Sequence, residues 1–151
     1  MNKNNYYINE FLPKLDIGLY YEKLAQKQII KYYKNEYYVK NTCNNNEYDF
    51  ELSNDVKYEI KADIKSVLTS NIFIEFIQFN KPSGIEVSQA HFYVIIIPFE
   101  ISIYILIEVK KLKELILNTK FKFVIYPTMK NNNTGGYIFD IEIIKNEGVL
   151  I

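Results

Sequence analysis

Hydrophobic and polar positions change period several times along the chain, and each change marks an element. In IGLYYEKLAQKQIIKYYK, residues 17–34, a turn of about 100° per residue gathers Ile17, Tyr21, Leu24, Ala25, Gln28 and Tyr32 on one side. Lys23, Lys27, Lys31 and Lys34 gather on another face, with Glu22 at the edge of the apolar stripe, so a first helix is predicted here. Short strand-like stretches follow: EYYVKN, YDFEL, VKYEIKAD and NIFIEFIQF. In VKYEIKAD, Val56, Tyr58, Ile60 and Ala62 alternate with Lys57, Glu59, Lys61 and Asp63. Strand periodicity is two, so Glu59, Lys61 and Asp63 are expected on one face. KPSGIEVSQA breaks the pattern with Pro82 and Gly84 and opens a short helix. HFYVIII and ISIYILI read as strands over 92–97 and 101–107, and VKKLKELILN sets Leu112, Leu115 and Ile116 on one helical face. A terminal hairpin is expected around Gly135-Gly136, between FKFVIYP and YIFDIEII. The Asn runs at 44–46 and 131–133 mark loops and not domain boundaries. The order predicts an α/β fold, a single domain over 1–151 with a mixed central β-sheet flanked by helices.

Composition narrows the function classes. The chain has 18 basic and 18 acidic residues, so no global charge draws it to nucleic acid and DNA binding has to rest on a local patch. Cys43 is the lone cysteine, which excludes an internal disulfide and a cysteine-based zinc site. With one histidine as well, carboxylates are the dense source of metal ligands, and hard oxygen donors suit Mg²⁺, Mn²⁺ or Ca²⁺. Every basic side chain apart from that histidine is lysine. Lysine, asparagine, isoleucine and tyrosine all have A/T-rich codons, so their abundance reads as the mark of an A/T-rich genome. The tyrosine pairs, Tyr6-Tyr7, Tyr20-Tyr21, Tyr32-Tyr33 and Tyr37-Tyr38, then reflect codon usage and not a base-stacking surface. MNKNNYYINEF lacks the apolar run of a signal peptide. Residues 91–109 are long enough to span a bilayer, but Pro98, Glu100 and Ser102 interrupt them, and two buried strands fit better.

The candidate chemistry lies on successive strands. Glu59-x-Lys61 alone says little, because any half-exposed strand can alternate charges. Its context says more. Gly18, Glu22 and Ala25 open the first helix, Asp49 ends YYVKNTCNNNEYD on a strand, and Glu59-Ile60-Lys61 follows ten residues on. Beyond lie IFIEF, carrying Glu75, and KPSGIEVSQAHFYVII. In this order the motifs, over about residues 17–97, resemble the PD-(D/E)XK nuclease superfamily with its restriction-endonuclease-like fold. Archaeal Holliday-junction resolvases, Mrr-type restriction proteins and phage and viral endonucleases belong to it. The sequence departs from the pattern in having Tyr48 where a proline often precedes the first acid, and in having no arginine for phosphate recognition.

The resemblance implies an αβββαβ core over about 17–109, with a helix and hairpin over 110–151 appended. It implies a Mg²⁺-dependent deoxyribonuclease, with Mn²⁺ able to substitute, that hydrolyses phosphodiester bonds in DNA, including branched or otherwise structured DNA. Asp49 matches the first acidic metal ligand, Glu59 the second, Lys61 the lysine, and Glu22 the helix glutamate that in some branches contacts the metal through water. Two carboxylates on adjacent strands can hold Mg²⁺ against a phosphate, and a lysine two residues along can handle water or developing charge. Asp63 is either a further ligand or, more simply, a solvated strand-end acid; Glu75 either faces the site or lies on an exposed edge. The stripe Lys23, Lys27, Lys31 and Lys34 is a solvated face or a track for a phosphate backbone, and Lys81 sits in a loop that can approach DNA. His91 packs or caps; a Ser88/His91 pair lacks a third group and an oxyanion hole. DNA is the expected partner, a homodimer is suggested by analogy, and neither membrane nor organic cofactor is expected. The expected location is intracellular and soluble, cytoplasm or nucleus, wherever its DNA is. The alternative is a catalytically inactive nucleic-acid-binding or protein-interaction module on the same fold.

Overall fold

The computed structural model describes residues 14–43, 47–118, 122–127 and 133–151. The elements run α1 (Lys14–Tyr32), β1 (Val39–Thr42), β2 (Phe50–Leu52), β3 (Lys57–Ala62), α2 (Ser66–Thr69), β4 (Asn71–Gln78), β5 (Lys81–Pro82), a 3₁₀ turn (Gly84–Glu86), β6 (Phe92–Ile97), β7 (Ile103–Glu108), α3 (Val109–Asn118), β8 (Lys122–Pro127), β9 (Asn133–Asp140), α4 (Ile141–Glu147) and β10 (Val149–Leu150). Six strands form a mixed sheet in the order β1-β2-β3-β6-β7-β10, in which β3 and β6 are parallel and the other neighbours antiparallel. Four more form an antiparallel sheet, β5-β4-β9-β8.

β6 explains the layering. Val94 and Ile96 pack under α1 with Tyr21, Ala25, Ile29, Phe50 and Tyr58. Tyr93, Ile95 and Ile97 pack on the other side against Ile72 and Ile74 of β4, Phe139 of β9, Leu112 of α3 and Ile144 of α4. A strand covered on both faces carries apolar residues at every position, which is why FYVIII shows no alternation. Each isoleucine fully buried this way contributes ~1.5–3 kcal/mol. The window 91–109 is two strands, and among the described residues no helix is long and apolar enough to cross a membrane.

Several expectations are corrected. The helical stripe runs through Tyr21, Ala25 and Ile29, with Ile17 and Leu24 beside it, while Tyr32 is exposed. The single central sheet is two sheets: β4 leaves the meander and pairs with β9. The short helix expected in KPSGIEVSQA is a 3₁₀ turn at Gly84–Glu86, which with the four-residue α2, β4 and β5 makes the crossover between the parallel β3 and β6. The C-terminal part is not an appendage, since β9 pairs with β4 and β10 with β7. The expected hairpin is present, since β8 and β9 pair antiparallel, but Gly135 and Gly136 lie inside β9, and residues 128–132, which join the two strands, lie outside the described residues. A Cβ on Gly136 would stand 2.2 Å from the Ile74 carbonyl oxygen, so glycine serves close backbone approach here. YIFDIEII stops being a strand at Asp140, whose side chain accepts from the Glu142 amide at 2.8 Å and caps α4. The run 44–46 and residues 131–132 lie outside the described residues.

Candidate active site

Tyr58 sets the register of β3. Its ring stacks between Phe50 (4.9 Å between centroids) and Phe92 (5.8 Å) beneath α1. With Tyr58, Ile60 and Ala62 committed to that side, Glu59 and Lys61 project to the opposite face, toward the second sheet. Beside Glu59 in the parallel register lies Tyr93, which packs on the same side.

The β2–β3 ladder reaches Phe50↔Tyr58, and Asp49 follows at its end. The Asp49 amide donates to the Tyr58 carbonyl at 2.9 Å, and its carbonyl accepts from Cys43 at 2.9 Å. Its carboxylate Oδ2 takes the Ile60 amide at 2.6 Å, occupying the place of a strand partner next to Glu59. Three backbone bonds around one residue leave the carboxyl little freedom. Cys43, partly buried against the core, is a free thiol.

The two carboxyls are crowded. Burial pushes Glu59 up to about 8; the Asp49 charge adds to this, Lys61 opposes it, and Glu22 and Glu75 push the same way as Asp49. Burial raises Asp49 to about 6 against the Ile60 hydrogen bond, with Glu22 adding its repulsion. Burial also raises Glu22 itself. The Tyr93 hydroxyl is held above its ordinary range by burial and then by Glu59, with Asp49 and Glu75 contributing. Among the described residues the ion pairs are Lys40–Glu51, Lys40–Asp55, Lys111–Glu147 and Lys145–Glu142, none of them at this cluster.

Glu22, Asp49, Glu59, Lys61 and Glu75 are therefore brought into one electrostatic neighbourhood from α1, the start of β2, β3 and the second sheet. Glu75 is partly buried and not on an exposed edge; its charge adds to the rise at Glu59, and its Oε1 accepts the Ser83 hydroxyl at 2.5 Å. Gly84, at φ +53, lets the 3₁₀ turn come close enough to place Ser83 there, since a Cβ would stand 2.3 Å from the Glu75 carbonyl oxygen. Asp63 is neither a ligand nor a solvated acid. It is buried, its carboxylate accepts from the amides of Ser66 (3.1 Å) and Phe73 (2.9 Å), and it fastens the end of β3 to β4. His91 caps: its Nδ1 accepts the Lys57 amide at 3.0 Å, and Ser88 bonds to the Glu47 carbonyl and the Ala90 amide. Lys23, Lys27, Lys31 and Lys81 are exposed. Tyr93 and Ser83 had not been expected here. Tyr93 is hidden in an apolar run, and only its pairing with Glu59 shows its place.

Mg²⁺ is held through one or two carboxylates, with water and substrate phosphate completing its octahedron. Among the described residues no group of three His, Cys, Asp or Glu side chains is arranged to hold a metal ion, so the donors on offer are the Asp49–Glu59 pair. Two buried oxygen-donor groups with raised proton affinity and, among the described residues, no ion-paired cation fit such an ion. No protein-family model matches the chain, and no curated protein or solved structure matches it.

Proposed function

We propose that the protein is a Mg²⁺-dependent deoxyribonuclease of the PD-(D/E)XK type. The observation that carries this reading is the Asp49–Glu59 pair, in which burial raises both proton affinities and the Asp49 charge adds to the rise at Glu59, with Lys61 two residues further along the same strand and, among the described residues, no ion pair to any of the three. Asp49 and Glu59 would hold the ion, which supplies Lewis-acid polarisation of the phosphate and a more acidic bound water. Lys61 orients the attacking water and offsets the negative charge that builds on the phosphoryl oxygens. Glu22 supports the pair from α1, and Glu75, steadied by Ser83, adds negative potential from the second sheet. With only lysines for phosphate contact, exposed Lys23, Lys27, Lys31 and Lys81 supply the nonspecific hold on the backbone.

The testing experiment is a panel of end-labelled substrates (duplex, branched junction, flap, single-stranded DNA and RNA) incubated with Mg²⁺, Mn²⁺ or EDTA. Cleavage of at least one DNA, with either metal and not with EDTA, is expected. Intact substrates throughout contradict the reading. A non-cleaving nucleic-acid-binding module on the same fold is the second reading. It is favoured by the lack of a third ligand among the described residues and by Lys61 resting against Phe73, 5.7 Å from the ring centroid. Binding without cutting in the same panel selects it.

A further inference from the structure

An open cleft of about 480 Å³ lies beside the carboxylate pair, within the ~300–1,000 Å³ typical of small-molecule sites. Lys61, Lys65, Thr69, Asn71 and Thr134 are in its wall. Lys61 thus belongs both to this wall and to the face of β3 that carries Glu59, two residues or about 6.5 Å along the strand. Part of the wall is fixed locally, since the Thr69 hydroxyl donates to the Lys65 carbonyl at 3.0 Å and Asn71 Nδ2 donates to the Thr69 carbonyl at 2.8 Å. The Lys65 ammonium is exposed and forms no ion pair among the described residues. Asp63 is the acid in the wall, but it is buried, and its two carboxylate oxygens already accept the Ser66 and Phe73 amides. The two lysines therefore set the sign of the field in the cleft. A merely solvated lysine needs no concavity around it. An unpaired lysine in the wall of a cleft that shares Lys61 with the carboxylate pair fits an anion.

We propose that this cleft takes the phosphate next to the cut, held by Lys65 while Lys61 serves the scissile phosphate. The inference rests on the nuclease reading and deepens it: the site grips one further phosphate of the strand being cut, and that grip fixes which linkage stands over the Asp49–Glu59 pair. A lysine ammonium is a point charge with three donors, so the contact reads no base and holds for any sequence.

The first readout is fluorescence anisotropy of the full chain with one labelled DNA duplex in EDTA, over about 50 to 200 mM salt. Lys65→Ala should lower the slope of log affinity against log salt by about 0.9, the value of one phosphate contact on duplex DNA, and Lys65→Arg should keep the slope. Lys110, exposed on α3 and outside the cleft wall, is the control: Lys110→Ala should leave the slope unchanged. The second readout is cutting in Mg²⁺ of DNAs that carry a neutral methylphosphonate one linkage to either side of the mapped cut. On one side it should slow the wild type about tenfold, the worth of a charge-assisted hydrogen bond, and should not slow Lys65→Ala further. An unchanged slope in Lys65→Ala, or an equal loss in Lys110→Ala, overturns the proposal. Equal slowing of wild type and Lys65→Ala by the neutral linkages overturns it too. Inorganic phosphate that raises the Tm of the wild type and not of Lys65→Ala, with the DNA slope unchanged, assigns the cleft to a free anion and overturns the strand contact. A slope that depends on Lys65 without metal-dependent cleavage of any DNA overturns the nuclease reading and keeps the phosphate contact. Metal-dependent cleavage with an unchanged slope overturns the cleft alone.

Discussion

Replacing Glu59 by glutamine should stabilise the metal-free protein, and the gain should grow with pH. Glu59 titrates near 8 in the fold against an ordinary 4.5, because burial and the Asp49 charge disfavour its ionised form. Below pH 4.5 both folded and unfolded chains hold the proton, and wild type and variant match. Between 4.5 and 8 the unfolded chain releases the proton while the native one keeps it, so wild-type stability falls as pH rises, and above 8 this contribution levels off. Converted at 1.36 kcal/mol per pH unit, the shift sets an upper bound of about 5 kcal/mol. Water reaching a half-buried, mutually coupled pair reduces the expected gain to about 2 kcal/mol at pH 8.5. In a chain of this size that raises Tm by about 4–8 °C. Urea denaturation of both proteins in EDTA at pH 4.5, 6.5 and 8.5 reads the effect directly. A variant no more stable than wild type at pH 8.5 would refute the crowding of Asp49 and Glu59.

Mg²⁺ or Mn²⁺ should stabilise the wild type by about 2.7 kcal/mol at one hundred times the dissociation constant. Thermal-shift titration should show that gain lost in Glu59→Gln and Asp49→Asn. Asp63→Ala strips two amides of their acceptor and should cost about 2 kcal/mol in urea unfolding, yet leave the cutting rate that the proposed function expects of the folded protein unchanged. Gly136→Ala drives a Cβ into the Ile74 carbonyl and should destabilise by ~1–3 kcal/mol, read from the shift of the urea midpoint.

The half-buried strand β3 is legible in the sequence because one face meets α1 and the other does not, and period two follows from that. The place of Asp49 beside Glu59 is not carried by periodicity. It depends on the end of a short ladder and on a carboxylate standing in for a strand partner, and only the resemblance pointed to it. NIFIEFIQF looked like another strand of the same sheet, since its alternation says nothing of its partner. The partner, β9, lies some sixty residues away in sequence. Gly135-Gly136 carried the ordinary turn signal, whereas the constraint at Gly136 is the approach of β4 and the Phe73 ring. The alternation of VKYEIKAD runs one residue beyond β3, which ends at Ala62, so Asp63 does not share the face of Glu59. An aspartate three residues before a serine is itself a local turn signal, because its carboxylate can take the amide at that distance along the chain, and here it takes the Ser66 amide.

The central claim is that Asp49, Glu59 and Lys61 perform cleavage and are not needed to bind DNA. Purified wild type, Asp49→Asn, Glu59→Gln and Lys61→Ala should be compared on one labelled DNA for cutting rate in Mg²⁺ and for gel-shift affinity in EDTA. A positioned acid, base or charge stabiliser is worth ~10²–10⁴ in rate, so each variant should lose at least about a hundredfold in cutting. Affinity should hold for all three and rise slightly for the two carboxylate variants, which remove negative charge facing the phosphate. Cutting by Glu59→Gln at the wild-type rate would contradict the account.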